Sequence, residues 1–294
     1  MSDTYSNFLL QDAKLSLTRL NEVQQHPIEE HEFLRPLTIT KEKQENVTIR
    51  GIYLNNVSFQ YEGPKSPYVL KNLNLCFPEG KVTAIVGASG SGKTTLMKLL
   101  LRFYEPTQGS IRYNGEDIST LSPKSIRENT GVVMQDGYIF SDTIARNIAT
   151  SDQAISESKL ANAVRIANIE SFISALPLGY HTKIGAVGNG ISGGQRQRIL
   201  IARAVYKNPH YLFFDEATSA LDAENEKVIH DHLQAFFKEK TVLIIAHRLS
   251  TVKQADHIVV LQHGQCIEQG SHQTLVNQKG AYYNVVKNQL ELGS

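Results

Sequence analysis

Residues 8 to 23 place Leu10, Ala13, Leu17 and Leu20 at steps of three and four, one apolar stripe with polar residues on the other faces, which predicts an amphipathic helix. Pro27 and Pro36 then bracket a polar, charged stretch in which no period survives, so residues 27–46 read as a linker and a domain boundary is expected near residue 45. Beyond it the spacing changes. Ile52 and Leu54, then Val57, Phe59 and Tyr61, then Leu73, Leu75 and Phe77 fall at every second position, which predicts antiparallel strands with one buried face. The runs KVTAIVG, YLFFD (211–215), TVLIIA (241–246) and HIVVL (257–261) are apolar almost throughout, as strands covered on both faces must be. Helical segments separate them, and this alternation predicts a mainly parallel sheet with helices on both sides. Residues 137–207 are mostly helical in pattern and predict an inserted helical subdomain.

A chain of 294 residues with 41% hydrophobic positions can bury a sizeable core. Lys and Arg total 30 against 29 Asp and Glu, and a net charge of +1 lacks the basic footprint that nucleic-acid binding needs, so no nucleic-acid partner is expected. The sequence contains no apolar run approaching the roughly 18 residues that span a bilayer and no signal-peptide pattern, so the isolated chain is expected to be soluble and intracellular. Cys76 and Cys266 stand far apart outside any CxxC or Cys/His spacing and read as small core or strand residues, not as a disulfide or a zinc site. His230 and His232 are two apart on a predicted helix, share no face, and read as solvated.

The segment Gly87, Ala88, Ser89, Gly90, Ser91, Gly92, Lys93, Thr94, Thr95 matches GxxxxGK[ST] between a buried strand and a helix. Glycines let backbone amides curl around phosphate oxygens, and the helix N-terminus adds partial positive charge. Lys93 reaches the outer phosphates and the Thr94 hydroxyl is suited to ligate Mg2+. A nucleoside triphosphate is the expected ligand. The strand Tyr211–Phe214 runs into Asp215 and Glu216 at the carboxyl edge where open α/β sheets collect ligands, which suits Asp215 to the metal shell and Glu216 to activating a water.

With these motifs in place, the sequence resembles the nucleotide-binding domain of ATP-binding cassette (ABC) transporters over residues of about 47 to 290. ISGGQ (Ile191–Gln195) contains the family signature as Ser192, Gly193, Gly194 and Gln195, between the phosphate loop and Asp215 as the family order requires. Gln135 after GVVM, Ser219–Asp222 just beyond Glu216, His247 after TVLIIA and the aromatic Tyr61 also match. The resemblance implies a P-loop NTPase fold: a RecA-like mainly parallel sheet, an antiparallel β subdomain and a helical subdomain at about 137–207. It implies a Mg2+-dependent ATPase in which Tyr61 stacks on adenine, Gln135 touches Mg2+ and senses a transmembrane partner, and His247 contacts the γ-phosphate and supports Glu216. SGGQ offers a serine and glycine amides at a helix start, a second anion site. In the family this signature closes over the ATP of a second copy, so a head-to-tail homodimer around two ATP is expected, with Asp222 linking its two sites.

Several segments resemble the exporter branch. The helix over residues 1–26 is similar to the cytosolic end of a last transmembrane helix, which implies a transmembrane domain fused upstream and a place at the cytoplasmic face of the cell membrane; a bare packing helix is the alternative. QDGYIFSDTIARNI resembles the exporter segment that receives a coupling helix, and IFSDTI and IGAVGNGISGGQ are similar to peptide and bacteriocin exporters, including those with a leader peptidase. Two positions depart from the pattern. Ile191 replaces the usual leucine, a harmless aliphatic exchange. Ala186 stands where many exporters carry a glutamate in a loop that contacts the membrane domain, which bears on coupling and not on hydrolysis. A stand-alone importer ATPase subunit and a soluble ABC-type switch are the competing readings.

Overall fold

The computed structural model describes residues 2–25, 29, 33–39, 50–63, 65–150, 152–185, 190–215, 223–246 and 248–292. The chain divides into two compact units, residues 1–34 and 35–294. The first contains α1 (Ser2–Gln24), which starts earlier than its apolar stripe and leaves Leu15, Leu17 and Leu20 exposed. Among the described residues no helix is long and apolar enough to cross a membrane.

The second unit begins with the hairpin-like pair β1 (Gly51–Phe59) and β2 (Leu70–Pro78), followed by β3 (Val82–Val86) and α2 (Lys93–Leu100). Then come β4 (Gln108–Tyr113), β5 (Glu116–Asp117), α3 (Pro123–Glu128) and β6 (Thr130–Val133). The expected helical insertion holds β7 (Asp142–Thr143), α4 (Ile144–Ile148), α5 (Glu157–Ile166), α6 (Glu170–Ser174), β8 (Lys183–Ile184) and α7 (Gly193–Lys207). The remainder is β9 (Tyr211–Asp215), α8 (Ala223–Phe236), β10 (Thr241–Ile245), α9 (Leu249–Lys253), β11 (His257–Gln262), β12 (Gln265–Gly270), α10 (His272–Gln278) and α11 (Ala281–Leu292).

β2, β1, β4 and β5 form an antiparallel sheet in that order. The central sheet has the order β12-β11-β3-β10-β9-β6, parallel throughout except for the edge pair β11–β12. Strand period explains why its inner strands β9 and β10 read as nearly unbroken apolar runs. Tyr211 and Phe213 of β9, with Leu243 and Ile245 of β10, enter the core that holds Leu96, Met97, Leu99 and Leu100 of α2. Leu212, Phe214 and Val242 point to the other face, where they join α7 and the insertion helices. Both faces are covered, so both sets of alternating positions must be apolar.

The insertion also contains a small antiparallel pair, Asp142–Thr143 with Lys183–Ile184, that the helical pattern gave no sign of. The histidines of α8 are half-buried and bonded, not solvated as expected: His230 Nε2 meets Gln254 Oε1, and His232 Nδ1 lies 3.3 Å from the Ile166 carbonyl. Both cysteines are free thiols, partly buried in β2 and β12.

The turn between β11 and β12 matters for the site. His263 and Gly264 both have positive φ (49° and 79°), the geometry of a tight two-residue hairpin turn. A Cβ at Gly264 would lie 2.2 Å from the Val69 carbonyl oxygen, so only glycine lets this tip approach so closely. The Gly264 N–H donates to the Ser91 carbonyl (3.2 Å), and the hairpin tip thereby braces the loop that precedes α2.

Candidate functional site

Residues 87–92 join β3, at the centre of the parallel sheet, to α2. Gly92 caps α2 in the left-handed region with no side-chain hydrogen bond, so the first-turn amides are left for a ligand. Lys93 is buried, and its Nζ donates to the Gly87 and Ala88 carbonyls (2.8 Å each) and to Ser91 Oγ (3.5 Å). Thr94 Oγ1 donates to Asp215 Oδ2 at 2.8 Å. Asp215 ends the fully buried β9, whose partners β10 and β6 hold its register. Two residues far apart in sequence, one from the phosphate loop and one from a strand end, therefore meet at the carboxyl edge of the sheet.

Ser89, Gly90, Gly92, Lys93, Thr94, Thr95, Gln135, Asp215 and Val69 line one cleft of about 260 Å³. Val69 was not expected there; it precedes β2 and carries no chemical signal, being placed by its N–H bond to the Phe59 carbonyl (2.8 Å). Gly87 stands at the back of the loop. A Cβ on it would fall 2.1 Å from the Leu261 carbonyl oxygen and 2.8 Å from Ser91 Oγ. Gly87→Ala is therefore expected to destabilise the domain by about 2 kcal/mol or more and to weaken nucleotide binding, read by thermal melting and by titration with ATP. A variant that melts and binds as the wild type does would contradict this close approach.

Tyr61 is not among the residues lining that cleft but reaches it through its hydroxyl, 2.9 Å from Thr95 Oγ1. Its ring packs against Phe59 and Tyr104; Tyr104 is a second aromatic that the sequence reading passed over.

Ser192 caps α7 and Gln195 completes a capping box: Gln195 N donates to Ser192 Oγ (3.1 Å), and Ser192 N donates to Gln195 Oε1 (2.8 Å). The serine hydroxyl accepts in this bond and keeps its own proton for another acceptor. Gly193 and Gly194 follow in the first turn, whose amides have no acceptor within the helix. This segment does not line the phosphate cleft. Ile191 packs against the insertion core, as leucine would. Ala186, Glu216, Ser219–Asp222 and His247 lie outside the described residues.

A second cavity, of about 680 Å³, opens between Leu101, Phe103 and Tyr104 on one side and Met134, Ile148 and Tyr206 on the other. Arg203 of α7 stands at its wall. The guanidinium is held by the Asn147 carbonyl (2.7 Å) and the Tyr138 carbonyl (2.9 Å), and burial draws its pKa down to about 10, so it remains charged at neutral pH. No group of three or more metal-ligating His, Cys, Asp or Glu residues occurs among the described residues.

A phosphate loop on a central parallel strand, with a hydroxyl and a carboxylate paired beside it, defines a P-loop nucleotide-binding domain. Over residues 70–219 the sequence matches the family model described as ABC transporter. It is 45% identical over 273 residues to the leukotoxin export ATP-binding protein LtxB of Aggregatibacter actinomycetemcomitans, covering 92% of this chain and 37% of that protein. It is 44% identical over 275 residues to the alpha-hemolysin translocation ATP-binding protein HlyB of Proteus vulgaris, covering 93% and 38%. The fold superposes on a bacterial Atm1-family ABC exporter with ATP bound at a TM-score of 0.85 and 36% identity, over 95% of this chain and 47% of that one. The chain belongs to the ABC transporter family, as its ATP-binding, ATPase domain. It spans less than two fifths of the length of these curated relatives.

Proposed function

We propose that this chain is the ATP-hydrolysing engine of a membrane exporter, working at the cytoplasmic face of the membrane as a head-to-tail homodimer around two ATP. The observation that carries the reading is the meeting of Thr94 Oγ1 and Asp215 Oδ2 beside the Lys93 ammonium, because that group of atoms fits a metal-bound triphosphate. The hydroxyl of Thr94, the carboxylate of Asp215 and the amide oxygen of Gln135 are hard oxygen donors of the kind Mg2+ prefers, and all three residues line the cleft. Bound there, Mg2+ supplies neutralising charge to the phosphates. Lys93 exchanges its loop carbonyls for phosphate oxygens, Glu216 takes the proton of the attacking water, and His247 holds the γ-phosphate and Glu216 in register.

The dimer reading rests on Ser192–Gln195. The Gly193 and Gly194 amides, which the capping box leaves over, and the serine proton form an anion site away from the chain's own phosphate cleft, which suits the γ-phosphate of a second copy, with Asp222 joining the two sites. The exporter reading rests on the exporter named among the similar structures and on the cavity beside Phe103 and Tyr206, which suits a helix from a transmembrane partner. We place that partner upstream, continuous with α1. The cargo we propose is a polypeptide, in line with the leukotoxin and alpha-hemolysin that the relatives' names carry.

The dimer is tested by light scattering on Glu216→Gln, which should hold the sandwich closed. The mass is expected to double with MgATP and to stay that of a monomer with MgADP. A monomer with both nucleotides would count against the dimer.

A further inference from the structure

Tyr61 follows β1 and is held from two sides. Its ring meets Phe59 edge-on at 4.9 Å and 82°, and Tyr104 at 5.2 Å and 89°. The residue is 44% exposed, as a base platform should be, yet its hydroxyl turns inward to Thr95 Oγ1 at 2.9 Å. Thr95 is only 8% exposed, sits in the first turn of α2 and lines the phosphate cleft. Stacking on a base needs the ring alone, and phenylalanine would supply it. The hydroxyl calls for a separate account.

A phenol is a more willing donor than an aliphatic alcohol, because its ring delocalises the charge left on the oxygen. A threonine hydroxyl has one proton and two lone pairs, so it can accept from Tyr61 and at the same time donate to an anion in the cleft. Each bond in such a chain polarises the next, and the effect grows where water is excluded. We propose that Tyr61 acts on the triphosphate as well as on the base, through the relay Tyr61 Oη to Thr95 Oγ1 to a phosphate oxygen. Tyr61 is then a positioning residue for the phosphates, an inference that rests on the reading of this cleft as the ATP site. The relay also ties the two halves of nucleotide recognition, which come from different sheets, to one shared proton arrangement.

The test uses a ligand that has phosphates and no base. Inorganic tripolyphosphate with magnesium chloride is titrated calorimetrically into the wild type, Tyr61→Phe, Thr95→Val and the double variant. Tyr61→Phe is expected to bind it about 3- to 10-fold more weakly, the range of one hydrogen bond, with the double variant no weaker than Thr95→Val. Affinity within about twofold of wild type for Tyr61→Phe, or losses that add in the double variant, would overturn the relay. Should Thr95→Val fail to fold, Tyr61→Phe alone decides by the same criterion. Failure of the wild type to bind ATP would sink the nucleotide reading itself, whereas a wild type that binds ATP beside an unaffected Tyr61→Phe sinks only the relay.

Discussion

Glu216→Gln is expected to lower the kcat of ATP hydrolysis by about 10²- to 10⁴-fold, the range for loss of a general base, while leaving ATP binding in place. The substitution keeps size and shape and removes the carboxylate that we propose as the proton acceptor. Binding survives because the cradle is built from other residues: the loop before α2, Lys93, and the Thr94–Asp215 pair. Glu216 is the next residue after Asp215, which β9 carries to the sheet edge. Phosphate release at saturating ATP and equilibrium titration with ATP read the two quantities separately. An unchanged kcat would remove Glu216 from the chemistry and point to another base.

The largest effect on stability is expected at Asn147. Its side chain is fully buried on α4, and Nδ2 donates to the carbonyls of Phe140 (3.0 Å) and Thr143 (3.0 Å) while Oδ1 accepts from Phe140 N (2.8 Å) and Arg203 Nη2 (3.3 Å). Asn147→Ala strands several of these partners at once. With about 1–3 kcal/mol for each buried group left unsatisfied, a loss of about 3 kcal/mol follows. For a domain of this size that lowers Tm by about 6–12 °C, measurable by calorimetry. A shift below about 1 °C would mean that water or a local shift replaces the amide. The clamp joins the segment after Gln135 to α7, whose first turn carries Ser192–Gln195, so the same variant should also loosen the wall of the larger cavity.

The parallel sheet was legible because both faces of its inner strands are covered: Tyr211 and Phe213 of β9 serve one core, Leu212 and Phe214 the other, and no polar position interrupts that run before Asp215. The phosphate loop was legible because its chemistry restricts spelling, and the carboxylate because it ends such a run. What escaped depends on partners distant in sequence. Asp142–Thr143 pairs with Lys183–Ile184 in two-residue strands too short to show a period. Val69 and Tyr104 reach the site by backbone and ring contacts that their own neighbours in sequence do not announce. The Asn147–Arg203 clamp crosses 56 positions. α11 is set by tertiary contacts too, Glu268 accepting from the amides of Ala281 (2.6 Å) and Tyr282 (2.9 Å).

The two carbonyls already held by Lys93 bear on how tightly a nucleotide is held. An ammonium that begins with good acceptors gains only the difference between those bonds and the new ones when phosphates arrive. Association is then an exchange of partners, and the free-energy change is far smaller than the contacts would suggest if counted singly. The same carbonyls take the ammonium back when the ligand leaves, so the backbone of residues 87 and 88 moderates affinity without touching the ligand through those oxygens, and a grip that looks crowded with contacts is a measured one.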